Sequence, residues 1–233
     1  MQSLIQGALS VAHCSFPHRL DFLAAFWWPL FWVVVYLARI RPLWYPISMV
    51  DKAKSIAKAS ELALRLHGPD YFPHLERVRR HFLELAAMLP SGILTEEDVA
   101  DGEQASLLHD IIEDGFITAD ELLAEGFSNR VLEIVLGLTR DPAKMTYHDK
   151  MVATAATDDI VLILAKLADN RDNSFPWRIA ELPEERRSII KRYRKARRVL
   201  FDGLATSLIA RGVSAGEINT IEQWLGYEDK APW

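Results

Sequence analysis

From residue 51 onward, apolar positions recur every three or four residues, the period of a helix with one buried face rather than the alternation of a strand. Residues 51–66 place Ile56, Ala59, Ala63 and Leu66 on one side. Pro73 suits a first helical position, and the spacing predicts a helix over 73–88, broken by Pro90, Ser91 and Gly92. Thr95 with Asp98 reads as a capping box. It opens a helix predicted to carry residues 107–114 and to end at Gly115. Thr118 with Glu121 repeats the device for a short helix that Gly126 closes, and Ser128 caps another over 130–138. Further helices are predicted over 147–156, 160–169, 183–200 and 213–228. The run Ile-Val-Leu-Ile-Leu at 160–164 has the composition of a buried strand, but no second strand is present to pair with it, so a buried helix is expected. The expected fold class is all-α.

The first fifty residues follow another pattern. Residues 22–38 form an unbroken apolar and aromatic run; Trp27, Trp28, Trp32 and Trp44 fall before residue 50, and Asp21 is the only acid there. The run is at the short end of the roughly 17–25 residues that span a bilayer. Pro29 would kink it without forbidding it. Arg39, Arg41, Lys52, Lys54 and Lys58 would favour a cytoplasmic C-terminal side. A signal peptide is not expected, because no basic segment precedes the run and no small-residue cleavage site follows it. Residues 1–48 are therefore read as a hydrophobic N-terminal extension, and 49–233 as the helical domain. The extension is a membrane anchor, an arm packed on the domain, or the product of a misplaced start with Met49 as the true one; the last is the expectation. A membrane role is expected only through residues 22–38.

Half of the 233 residues are hydrophobic and a quarter charged, an ordinary globular balance. The net charge of −5 argues against a general nucleic-acid binder. With Cys14 as the single cysteine, there is no disulfide framework and no cysteine-based zinc site. A cytoplasmic location is expected; the alternative is an inner-membrane anchor with the helical domain in the cytoplasm.

Candidate chemistry concentrates at 107–114, Leu-Leu-His-Asp-Ile-Ile-Glu-Asp. On a helix, His109 would share a face with Glu113, and Asp110 with Asp114. Carboxylates clustered on a half-buried face are costly unless a cation neutralises them. Two other places carry similar residues in apolar context: His74 at a helix start, and Asp169 at the end of the apolar run, with Asn173 four residues on. His74, His109, Asp110 and Asp169 together make a two-histidine, two-carboxylate set, which suits manganese, iron or zinc.

The order His, His-Asp, Asp resembles the HD superfamily of metal-dependent phosphohydrolases. Within it, His-Asp-x-x-Glu-Asp is similar to the RelA/SpoT-type domain that removes pyrophosphate from the 3′ position of (p)ppGpp. Residues 65–74, Arg-Leu-His-Gly-Pro-Asp-Tyr-Phe-Pro-His, resemble that family's Arg-Lys-x-Gly-x-x-Tyr-x-x-His. Residues 117–122 resemble the helix after its Glu-Asp pair, residues 166–173 its Lys-Leu-Ala-Asp-x-x-x-Asn, and Arg192-Tyr193 the Arg-Tyr of its last helix. The likeness runs in register over roughly residues 51–200. It implies an HD-domain helical bundle acting as a stand-alone hydrolase. Its metal ligands would be His74, His109, Asp110 and Asp169, holding Mn²⁺. Glu113 and Asp114 would orient or activate water and assist the leaving group. Arg65 would contact base or phosphates, Asn173 would line the nucleotide pocket, and Arg192 and Tyr193 would join the substrate side. Two positions depart: the family's lysine is Leu66, and its threonine is Pro176. They admit another nucleotide substrate, such as a deoxynucleoside monophosphate or a nicotinamide dinucleotide phosphate. A non-catalytic nucleotide-binding or membrane-tethered regulator is the alternative from another class.

Tyr71 is expected to pack near the site and support His74. His81 is expected as a partly buried helix residue rather than a ligand, and His67, His13, His18 and His148 have no supporting context. The eight basic residues between Arg186 and Arg198 are expected to form a solvated face paired with Glu181, Glu184 and Glu185, the alternative being a phosphate-attracting rim.

Overall fold

In the computed structural model the chain divides after Pro46, and the unit Ile47–Trp233 is taken by itself. The described residues are 47–226. The apolar run at 22–38 and the tryptophans before residue 50 lie outside them.

Ten α-helices fill the described residues, with no strand among them. They are α1 (Ile47–His67), α2 (Phe72–Ala87), α3 (Glu96–Leu108), α4 (Ala119–Ala124), α5 (Asn129–Leu138), α6 (Tyr147–Ala155), α7 (Ile160–Asn173), α8 (Pro176–Glu181), α9 (Ile189–Ala210) and α10 (Ala215–Leu225). A 3₁₀ turn, Glu184–Arg186, separates α8 from α9. No described helix is long and apolar enough to cross a membrane.

The helix starts follow local chemistry. The Thr95 hydroxyl accepts from the Asp98 N–H while the Asp98 carboxylate accepts from the Thr95 N–H. Thr118 with Glu121 and Ser214 with Glu217 repeat the exchange. Each such cap stabilises its helix by about 1 kcal/mol.

The bundle is organised around α7, which is buried from Ile160 to Asp172. Its first half is apolar all round, as a core helix should be. Its second half is not: Lys166, Asp169, Asn170, Arg171 and Asp172 are buried too. Helices α2, α3 and α9 pack around it, and α2, α9 and the C-cap of α3 bring polar partners to that second half.

The structure corrects several expectations. The helix expected through residue 114 ends at Leu108, with His109 as its C-cap. Beyond it the Ile111 N–H bonds to the Leu108 carbonyl three residues back, which tightens the coil and drives Ile111 into the core. Tight turns then run to Gly115, whose φ of 74° ends the segment. Glu113 and Asp114 are exposed rather than on a buried helix face. The helix expected over 183–200 starts at Ile189 and runs to Ala210, because Leu200, Phe201, Leu204 and Leu208 continue its buried face. Pro183 instead caps the 3₁₀ turn. Helix α8, which was not expected, begins at Pro176, and α7 continues past Asp169 to Asn173.

Gly203 does not break α9, and it sets a close approach. A Cβ there would meet the Ala155 carbonyl oxygen at 2.5 Å and its Cα at 2.9 Å. Since the obstacle is backbone, it cannot swing away. Gly203→Ala is expected to destabilise the fold by about 1–3 kcal/mol, read as a lowered midpoint of thermal unfolding.

Candidate metal centre

Four side chains from three helices converge at the polar half of α7. His74 sits in the first turn of α2, where Pro73 fixes the backbone. His109 and Asp110 leave the end of α3, and Asp169 projects from α7. His74, His109 and Asp169 are buried, and one ligand atom from each lies within 4.8 Å of the others. Asp169 Oδ1 is 3.9 Å from His74 Nε2 and 3.6 Å from His109 Nε2. Asp110 Oδ2 joins them, 3.0 Å from His109 Nε2 and 4.0 Å from His74 Nε2.

Hydrogen bonds behind these atoms aim them. His109 Nδ1 is 2.9 Å from the Ser106 carbonyl oxygen, which can only accept, so Nδ1 carries the proton. Nε2, a buried atom with no hydrogen-bond partner, is then the ring nitrogen turned toward the carboxylates, and its lone pair becomes available to a metal when its proton leaves. Lys166 Nζ donates to Asp169 Oδ2 at 3.0 Å, which leaves Oδ1 facing the histidines with Asn173 Nδ2 bonded to it. The Tyr71 hydroxyl donates to Asp110 Oδ2 at 2.5 Å. The expected support of His74 by Tyr71 is thus a ring-edge contact, at 5.0 Å between centroids, while its hydrogen bond serves Asp110.

The charges respond to this crowding. Burial works against a charged His109, but Asp110 and Asp169 outweigh it and hold its pKa well above the ordinary value. Burial likewise opposes ionisation of Asp169, yet Lys166 and His109 keep it well below the usual carboxylate range. Asp110 is lowered in the same way, burial being overcome chiefly by His109.

Beside Asp110 and Asp169 opens a cleft of about 200 Å³. Its lining includes Glu113, Asn173, Arg192 and Tyr193 from the sequence-derived set, together with Arg140, Tyr147, Lys150 and Lys166. Glu113 Oε2 accepts from the Arg140 backbone N–H at 2.8 Å, which ties it to the 139–146 loop. The Arg192 guanidinium lies 4.9 Å above the Tyr147 ring. Burial, with Lys166 beside it, lowers the Lys150 pKa.

Two expected site residues stand elsewhere. Asp114 is outside the cleft lining, 3.7 Å from His67 Nδ1, and its carboxyl is pushed up by burial and by Asp110. Arg65 is exposed and bonds to Glu125 at 2.9 Å. His67, given no role from sequence, stacks on Tyr71 at 5.0 Å and meets Phe116 edge-on at 4.6 Å. His81 is buried as a helix residue, stacked on Phe175 at 5.4 Å. Asp172 was also missed. It is fully buried, 2.7 Å from His74 Nδ1, and receives hydrogen bonds from Arg77 and Arg178. Its position inside the 166–173 run was the only signal; Arg178 gave none, because α8 was not expected.

This frame is the all-α bundle that the sequence implied. No protein-family model and no curated protein matches the chain. Among solved structures, a metazoan ortholog of SpoT that hydrolyses ppGpp and plays a role in starvation responses is similar, with a TM-score of 0.53 and 21% identity. The likeness covers 76% of this chain and 96% of that one. The two share a fold.

Tyr71→Phe removes a hydrogen bond to a charged, largely buried carboxylate. The expected cost is about 1.5–3 kcal/mol, measured as a lower urea midpoint in metal-free protein.

Proposed function

We propose that the chain is a metal-dependent phosphohydrolase acting on a nucleotide, with guanosine 3′,5′-bis(diphosphate) as the leading substrate and loss of the 3′-pyrophosphate as the reaction. The observation that carries this reading is the His109 ring. Its Nε2 atom faces two carboxylate oxygens at 3.0 and 3.6 Å in a buried setting. Such an arrangement repels itself unless a proton or a metal cation lies between the three atoms.

His74, His109, Asp110 and Asp169 would hold the ion. Two imidazoles and two carboxylates fit Mn²⁺, as the family resemblance implies, and would also accept other divalent metals. When bound, such an ion acidifies a water and polarises a phosphoryl oxygen. Glu113, held by the Arg140 N–H at the cleft wall, accepts the proton of the attacking water. Asp114, given the leaving-group role by the family resemblance, lies outside the cleft lining beside His67, so that role is not assigned to it. Arg140, Lys150 and Arg192 supply positive charge for phosphate groups along the cleft, while Asn173 and Tyr193 line the nucleotide's side. The fold shared with a protein that hydrolyses ppGpp supports this substrate class.

A second reading keeps the site and changes the nucleotide. Leu66 is packed against the core and Pro176 opens α8, so neither offers the polar contact that its counterpart makes in the family. A deoxynucleoside monophosphate or a nicotinamide dinucleotide phosphate fits this reading.

The deciding experiment incubates the protein with Mn²⁺ and each of these nucleotides. Pyrophosphate release from ppGpp is expected. Phosphate release from another nucleotide alone selects the second reading, and tight binding without turnover points to a regulator. Asp169→Ala is expected to lose both bound metal, by elemental analysis, and activity. Glu113→Gln should keep its metal and lose roughly 100–10,000-fold in kcat.

A further inference from the structure

A buried charge network lies behind His74, on the side away from Asp110 and Asp169. Asp172 is fully buried at its centre. Arg77 reaches it from α2, with Nε 2.6 Å from Oδ1 and Nη2 3.2 Å from Oδ2. Arg178 reaches it from α8, with Nη1 2.5 Å from Oδ2. Trp177 covers Arg77, with the guanidinium 4.9 Å from the ring centroid. Two cations on one carboxylate are more than neutralisation requires, so the carboxylate is fixed in place as well as balanced.

What it is fixed against is His74 Nδ1, 2.7 Å from Oδ2. The ring has two possible tautomers there. If Nδ1 carries the proton and donates it to Asp172, Nε2 offers its lone pair toward Asp169 Oδ1 and Asp110 Oδ2. If Nδ1 instead accepts from Arg178, whose Nη1 is also 2.7 Å away, the proton moves to Nε2 and that atom can bind no metal. The first arrangement is the stable one. Arg178 already donates to Oδ2 of Asp172, and a ring lone pair aimed at a carboxylate oxygen at 2.7 Å is repulsive.

We propose that Asp172 is a positioning residue: clamped by Arg77 and Arg178, it fixes His74 in the tautomer whose Nε2 can ligate a metal. The proposal rests on the reading of His74 as a ligand. It gives α8 a purpose, since the helix that begins at Pro176 carries Arg178 to the clamp. Carboxylates behind metal-bound histidines act in this way generally, and losing one weakens metal binding roughly 10–100-fold.

Two measurements test it on the full chain: long-range proton–nitrogen NMR of the metal-free protein, which reads histidine tautomers, and Mn²⁺ titration followed by the electron paramagnetic resonance signal of free Mn²⁺. The expected wild-type result is His74 protonated at Nδ1. Asp172→Asn should weaken Mn²⁺ binding roughly 10–100-fold. Arg178→Gln, a change at a partly exposed side chain that keeps the fold if Asp172→Asn does not, should weaken it less than tenfold and leave the tautomer unchanged. His74 protonated at Nε2 in the wild type, or Mn²⁺ affinity unchanged in Arg178→Gln, overturns the proposal. So does wild-type affinity in Asp172→Asn. A wild type that binds no Mn²⁺ overturns this proposal and the functional reading together, whereas an unaffected Asp172→Asn in a chain that binds Mn²⁺ overturns this one alone.

Discussion

The constraint on which the structure turns is the burial of charge along the second half of α7. Lys166, Asp169, Arg171 and Asp172 lie within seven consecutive positions, all inside the bundle. An unpaired buried charge costs several kcal/mol, so the surrounding helices must deliver partners as well as apolar surface. Helix α2 brings His74 and Arg77, α8 brings Arg178, and the Tyr193 carbonyl of α9 accepts from Asn170. Helix α10 places Trp224 under the Arg171 guanidinium, at 3.5 Å. The packing of the bundle and the assembly of the candidate site are one problem with one solution.

The cleft lining carries both signs of charge. Asp110, Asp169 and Glu113 bring acceptors to it, and Arg140, Lys150 and Arg192 bring donors. Lys166 donates to Asp169 Oδ2, so that Oδ1 faces the histidines. One lining thus offers acceptors to a cation and donors to an anion, as the proposed reaction of a phosphate ester with a metal requires.

Much of this was legible in the sequence. Helical period, capping boxes and turn glycines gave the all-α class, because these signals are local and the structure satisfies them locally. His74, His109, Asp110 and Asp169 stood out because ligand-type residues in apolar runs are expensive. What was not legible depended on distant partners. The turn at His109 is driven by Ile111 entering the core, and it releases Glu113 to a backbone donor 27 residues away. Asp172 was visible only as one acid among several until Arg77 and Arg178 stood around it. Arg65 looked like a site residue by its position in a motif, while its side chain turns outward to Glu125. His67 had no neighbours of note in sequence; its neighbours, Tyr71, Asp114 and Phe116, come from two separate turns.

The anchoring of Glu113 has a consequence for how such a site can change over time. The group that holds it is the main-chain N–H of residue 140, not a side chain. Every residue but proline supplies that donor. The 139–146 loop is therefore free to exchange its side chains, and with them the charge and shape offered to a ligand, while the acid beside it stays where it is. Variation in what is bound is separated, by one backbone hydrogen bond, from variation in what is done to it.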